Sequence, residues 1–307
     1  ERTLTMLDSF SILHTGTFAN QQQRDAIYPL ILERKGVKLA LLNYTFSTNG
    51  LPVTKPNIVN RLDTVRMGID IAKAKSLQPD AIIVFTHWGI EYQSLPSAEQ
   101  KRVAAFCFRQ GVMVIGAHPH VIQPMHWNGD QKTLVAYSLG NFVSGQRKRY
   151  TDGGAMLRIN LQKIINNDST TTTHIAGATY NLQWIYKTAD AAKDYFIIPV
   201  ASRTDTLLLH DATSKAAMQT FVSDARALLS KHNTGIAEEN TRPIYYTLVF
   251  DKLSTADADF IRQLYGNVEL DGEGIKAGVF HTLRDAEKAQ RNMMEVKPGL
   301  VCRVKQE

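Results

Sequence analysis

Cysteine is almost missing from this chain: Cys107 and Cys302 are the only two in 307 residues. They lie far apart, so the sequence carries neither a disulfide framework nor a CxxC zinc motif, and they do not report the compartment. No apolar run approaches the length of a membrane span, and no signal-peptide pattern is present. Charge runs are equally scarce. The net charge is +6 with a pI near 9.2, but the basic residues are dispersed. The densest cluster is Arg147-Lys148-Arg149, which reads either as a solvated loop or as an anion-facing rim. No nucleic-acid-binding motif accompanies the charge, so a nucleic-acid partner is not expected. With 44% hydrophobic and 21% charged residues the composition is that of an ordinary folded protein, long enough for one large domain and a smaller one.

What is present concentrates between Ala81 and Gly145. Ala81 to Phe85, Val112 to Ile115 and Leu134 to Tyr137 are short, nearly all apolar and rich in β-branched residues. This is the pattern of parallel strands buried on both faces between helices. Each run stops at a polar cluster: Thr86-His87-Trp88-Gly89-Ile90-Glu91, Gly116-Ala117-His118-Pro119-His120 and Ser138-Leu139-Gly140-Asn141-Phe142. Ligand sites of open α/β sheets gather at the carboxyl ends of the strands. His87, His118, His120, Glu91 and Asn141 are therefore expected around one crevice. Neutral imidazole is the commonest metal ligand, and a His-X-His pair beside a third histidine offers a divalent-metal site. Pro119 stiffens the turn, while Gly89 and Gly116 allow close backbone approach.

The remaining chain supplies scaffolding. Glu1 to Phe10 reads as the end of an amphipathic helix, followed by a short strand and loop with a structural His14. Ala26 to Leu32 and Val37 to Thr45 flank Arg34-Lys35-Gly36 as a hairpin. Asn57 to Ser76 is expected to be a helix packed on the sheet through Ile58, Leu62, Val65, Ile69 and Ala72. Pro96 to Gln110 is expected to be the next helix, with Cys107 in the core. Ala155 to Gln162, Thr171 to Ala176, Tyr180 to Tyr186 and Tyr195 to Val200 read as strands of a second, antiparallel sheet, and Ala212 to Lys231 as a helix. His126, His174, His210, His232 and His281 lie outside the motif blocks and are read as structural or exposed. Residues 241–307 read as a small βαββαβ module of ferredoxin type.

The blocks THWGIEY, GAHPHVIQP and YSLGNFV resemble the signatures of the bacterial capsule-synthesis family typified by CapA, which is tied to poly-γ-glutamate biosynthesis. The resemblance runs from about Leu4 to Pro199 and makes residues 1–240 one domain. It implies an α/β fold, a two-sheet metallophosphoesterase-like sandwich of calcineurin type flanked by helices. It implies a cell-envelope protein with a metal-dependent phosphoesterase-like site. His87, His118 and His120 match metal-ligand histidines. Glu91 and Asn141 match pocket positions whose roles are substrate contact, ligand support or proton transfer. The cofactor implied is a divalent metal, two ions of zinc, manganese or iron in the complete domain, acting on an anionic polymer or a phosphorylated small substrate. The family's early Gly-Asp, Asn-Leu-Glu and Asn-Asn-His motifs do not occur at their places in these residues; Gly129-Asp130 follows the HPH block. The chain also opens at Glu1, inside a helix. A processed or truncated product is therefore expected, with any export signal or membrane anchor in the missing front and with another chain as one source of the missing metal-site residues. The alternative reading is a non-catalytic envelope protein that binds an anionic polymer or peptidoglycan. AGVFHTLRDAEKAQRNM is similar to SPOR-type modules, which bind peptidoglycan glycan strands.

Overall fold

A computed structural model describes residues 2–129, 133–166, 168, 170–188, 194–200, 212–239, 246–251, 253–265, 268–271, 274–280 and 283–306. His210, Tyr245 and His281 lie outside the described residues, as do Asp130 of the Gly-Asp pair and part of the polar segment between His232 and Arg242. The chain divides into two compact units, Glu1–Ile197 with Gln219–Glu239, and Ile198–Met218 with Asn240–Glu307.

The first unit opens with α1 (Arg2–Ser9), β1 (Thr17–Phe18), α2 (Gln21–Ile27), β2 (Leu30–Arg34) and β3 (Val37–Thr45). The expected hairpin forms by pairing Arg34 with Val37, and Lys35 and Gly36 both take positive φ in its turn. Ala26 and Ile27, however, belong to α2, whose N-cap Asn20 accepts a hydrogen bond from the Gln23 amide. His14 is held by Asp8 at 3.0 Å, in keeping with a structural role.

After β4 (Ile58–Val59) comes α3 (Thr64–Ser76), which starts later than the periodicity implied. Ile58 and Val59 pair with Phe18 and Thr17 instead, and the Asp63 carboxylate caps the helix through the Val65 and Arg66 amides. Its buried face is Met67, Asp70, Ile71 and Ala74, whereas Val65 and Ile69 are exposed. The apolar stripe that selected the opposite face was misleading because the helix turns a charged residue inward. Arg24 and Asp70 are almost fully buried and form an ion pair at 2.7 Å. Tyr44 donates to the same carboxylate at 2.9 Å, and Arg24 Nε donates to Asn60 Oδ1 at 2.9 Å.

Next come β5 (Ala81–His87), α4 (Ala98–Arg109), β6 (Met113–Ala117), β7 (Met125–Trp127) and β8 (Leu134–Ala136). Ser97 and Gln100 close a reciprocal capping box at the start of α4. The six-stranded sheet has the order β2-β3-β5-β6-β8-β7, with β3, β5, β6 and β8 parallel and antiparallel strands at both edges. Helices α3 and α4 cover one face, where Ala40, Leu42, Val84, Val103, Cys107 and Val114 are buried together. The other face is less enclosed than the apolar runs implied: along β5, buried Ile82, Val84 and Thr86 alternate with half-buried Ile83, Phe85 and His87.

That second face meets another sheet. β9 (Gly153–Ile165) and β10 (Thr171–Lys187) form a long antiparallel hairpin, joined by β11 (Tyr195–Pro199) and β12 (Ala237–Glu238). The two segments read at Thr171–Ala176 and Tyr180–Tyr186 are one strand with an irregularity between Ile175 and Gly177. Asp80 fastens the sheets together. Its carboxylate accepts from the Lys38 amide (2.7 Å), Lys163 Nζ (3.0 Å) and Thr173 Oγ1 (3.0 Å). The first unit is thus the expected α/β fold with two sheets flanked by helices. Residues 219–232 of α5 (Ala212–His232) belong to it.

The second unit contains β13 (Tyr246–Phe250), α6 (Thr255–Tyr265), β14 (Glu269–Asp271), β15 (Gly274–Phe280), α7 (Leu283–Val296) and β16 (Cys302–Gln306). The antiparallel order β14-β15-β13-β16 is the ferredoxin-type βαββαβ arrangement expected, around Leu248, Phe250, Ile261, Ala277, Met293 and Cys302.

Two outcomes follow from the buried and junction charges. Asp70→Ala leaves the Arg24 guanidinium buried without its counter-charge and lowers the unfolding free energy by about 3–5 kcal/mol, read by urea denaturation; a loss below about 1 kcal/mol would contradict the role given to the pair. At Asp80, partial burial alone would raise the pKa, but the Lys38 amide, Lys163 and Thr173 outweigh it and hold the carboxyl below its ordinary value. The stabilisation from this group is complete above the unfolded carboxylate range and disappears as pH falls through the lower folded value. Asp80→Asn is therefore destabilising at neutral pH, and the gap to wild type narrows on acidification below the ordinary carboxylate value of 3.8. A gap that stays constant between pH 7 and pH 3 would rule this out.

Candidate metal centre

The ends of β3, β5, β6 and β8 converge because β6 has no side chain where it passes β8. A Cβ on Gly116 would stand 2.1 Å from the Tyr137 carbonyl oxygen and 2.3 Å from Trp88 Nε1. The indole takes that space and donates to the Tyr137 carbonyl at 2.8 Å. Gly89, with φ of +91°, turns the chain out immediately after Trp88, and a Cβ there would collide with Gln100. His87 therefore ends β5 beside Ala117 of β6, and the HPH turn follows directly.

The structure brings His87, His118 and His120 together. The ring centroids of His87 and His118 are 4.5 Å apart, and those of His118 and His120 6.2 Å. His118 and His120 both adopt positive φ, +107° and +62°, a region that costs non-glycine residues of order 1–3 kcal/mol and that clusters at functional sites. Glu91 also faces this group, with Oε1 4.0 Å from His120 Nε2.

Two imidazoles are oriented by neighbours behind them. Thr45 Oγ1 donates to the Ser47 carbonyl and so accepts from His87 Nδ1 at 3.0 Å. The Asn141 amide nitrogen donates to the Thr151 carbonyl and Gln146 Oε1, which leaves Oδ1 to accept from His120 Nδ1 at 2.9 Å. In the neutral ring of each, the proton then sits on Nδ1 and Nε2 is the free lone pair, the tautomer a metal ligand needs. Burial, with the neighbouring His118 and His120, lowers the His87 pKa below the ordinary histidine value despite Glu91. Burial lowers that of His118 as well, again against Glu91 and together with His120. Both rings are accordingly neutral at pH 7. Among the described residues, however, no group of three or more His, Cys, Asp or Glu side chains is arranged to hold a metal ion. The donor chemistry suits one divalent ion, and Glu91 is a carboxylate placed beside His120.

Three neighbours escaped the reading of the sequence. Thr45 ends β3 in register with His87, so the strand-end rule applied to β3 would have found it. Phe46 packs on both His87 and His118, with centroids 5.8 and 4.7 Å away. Tyr92 stacks on His120 at 6.1 Å and carries Lys148 Nζ 4.0 Å from its ring; it closes the THWGIEY block, and its aromatic character was the available signal. His126 stays apart on β7, its ring against Tyr137.

Residues 1–146 match the family described as Bacterial capsule synthesis protein PGA_cap. The chain is 33% identical over 133 residues to PGA biosynthesis protein CapA of Bacillus subtilis (strain 168), covering 42% of this chain and 34% of that protein. It is likewise 33% identical over 134 residues to Capsule biosynthesis protein CapA of Bacillus anthracis, covering 41% and 32%. The chain thus spans about a third of the length of these curated relatives. Among solved structures it is similar to a phosphatase from Mycoplasma pneumoniae, at 13% identity over 55% of this chain and 56% of that one. The TM-score of 0.32 is too low for that likeness to carry an argument. The five motif residues, from His87 to Asn141, all fall within residues 1–146, the segment through which the chain is similar to the CapA-type bacterial capsule-synthesis proteins.

Proposed function

We propose that the chain is a capsule or poly-γ-glutamate biosynthesis-type protein of the cell envelope with a metal-dependent, phosphoesterase-like hydrolytic site. The observation that carries this reading is the convergence of His87, His118 and His120 at adjacent strand ends, with Nδ1 of His87 and of His120 each engaged by a neighbour behind the ring. Those three side chains would hold the ion, of zinc, manganese or iron, which when bound supplies Lewis-acid activation of a phosphoryl or carbonyl oxygen. Glu91, half exposed beside His120, can accept a proton from a water or substrate hydroxyl on that side of the crevice. Asn141 acts through His120, fixing its tautomer and ring plane. Phe46 and Tyr92 pack against the imidazoles and limit their rotation. A second ion would have to draw on groups beyond those described.

A second reading, a non-catalytic protein that binds an anionic polymer, is favoured by the rim of this crevice. Lys148 lies over Tyr92, while Arg147 and Lys187 lie 5.8 and 5.6 Å from the Tyr195 ring. None of the three cations has a carboxylate partner among the described residues. Binding of peptidoglycan by the βαββαβ unit is a further proposal, supported by its strand order and the SPOR-like segment.

Elemental analysis of the purified chain and of a His118→Ala/His120→Ala variant tests the first reading. About one divalent ion per chain is expected in the wild type and none in the variant. No metal in either protein after reconstitution would overturn the enzyme and leave the binding protein. Asn141→Ala, measured by competition with a chelator, is expected to weaken metal affinity by roughly 10–100-fold; unchanged affinity would remove Asn141 from the site.

A further inference from the structure

A cavity of about 330 Å³ lies in the first unit, beside the histidine crevice but lined by different residues. That volume falls at the lower end of small-molecule sites. Its floor is apolar: Ile122 and, from α5, Phe221, Ala225 and Leu228. The three α5 residues follow at spacings of four and three, so they form one stripe of the helix, and Phe221 and Ala225 are buried. Ser94 and Tyr150 also line the cavity.

The polar groups give the cavity a direction. Asp224 lines it, but its two carboxylate oxygens are each engaged by Arg149 at 3.0 Å, so its charge is neutralised within the protein. Lys231 and His232 also line it, and neither has a carboxylate partner among the described residues. An apolar floor therefore ends at a cation and an imidazole with no counter-charge among the described residues. A cationic or neutral apolar guest would leave these groups unanswered, whereas a guest with an apolar body and an anionic head satisfies both parts.

We propose that this cavity is a binding site for a small amphiphilic anion, an aromatic or short-chain carboxylate whose apolar part lies on Ile122, Phe221, Ala225 and Leu228 and whose head meets Lys231 and His232. The site is independent of the metal reading and uses none of its ligands. Its walls nevertheless continue the segments that carry that site: Ser94 follows Glu91 and Tyr92, Ile122 follows His120, and Tyr150 follows Lys148.

The probe is 8-anilino-1-naphthalenesulfonate, followed by fluorescence, with decanoate, decanol and decylamine as competitors. Saturable binding near one equivalent is expected, displaced by decanoate at concentrations where decanol and decylamine do little. Lys231→Glu, a surface change, is expected to weaken decanoate by roughly tenfold, the scale of one charge-assisted hydrogen bond. Ala225→Trp fills the floor and abolishes probe binding if the variant keeps the wild-type circular dichroism; Lys231→Glu decides the matter if it does not. Equal displacement by decanoate and decanol, or a decanoate affinity unchanged in Lys231→Glu, would overturn the proposal.

Discussion

Strand β6 passes so close to the Tyr137 carbonyl that position 116 has no room for a Cβ, and the candidate metal centre depends on that approach. It lets Trp88 bury its indole between β5 and β8 with its N–H satisfied. The buried indole anchors the chain one residue beyond His87, while the tight packing of β6 launches the HPH turn beside it. The histidine directions are consequently set by backbone and packing, with the two positive φ angles held by the surrounding structure rather than chosen by the side chains.

The parallel strands, their order along the chain and the five motif residues were legible because each apolar run ends abruptly in polar residues that a sheet places at one edge. The face of α3 was not. Periodicity weighs Val65 and Ile69 as apolar and Asp70 as polar, but the tertiary partner of Asp70 is Arg24, 46 residues earlier, and no local pattern reports it. The late start of α3 has a similar origin: Ile58 and Val59 are claimed by β1, a long-range pairing, and Asp63 supplies a cap that a helix pattern read from Asn57 overrides. At the centre itself, Thr45 and Phe46 lie some forty residues before His87 and become neighbours only through the β3–β5 register.

Charged groups play three separable parts in the first unit. Arg24 and Asp70 are neutralised inside the core, Asp80 joins one sheet to the other, and Lys148, Arg147 and Lys187 lie over tyrosine rings with no carboxylate partner among the described residues. A net charge of +6 says nothing of this division. The rim cations sit on tyrosine rings, which restrains them near the crevice while leaving their charge open to an anion.

Each compact unit contains one cysteine, and each thiol is buried: Cys107 against the first sheet and Cys302 on β16. Burial pushes the Cys107 thiol up to about 12 and raises that of Cys302 as well, so neither is a thiolate at neutral pH. Neither residue pairs with the other. A thiol-specific reagent can therefore modify each position only when the surrounding core opens, and peptide mapping of the adduct separates the two events. The unaltered protein thus carries a built-in reporter of opening in each of its halves.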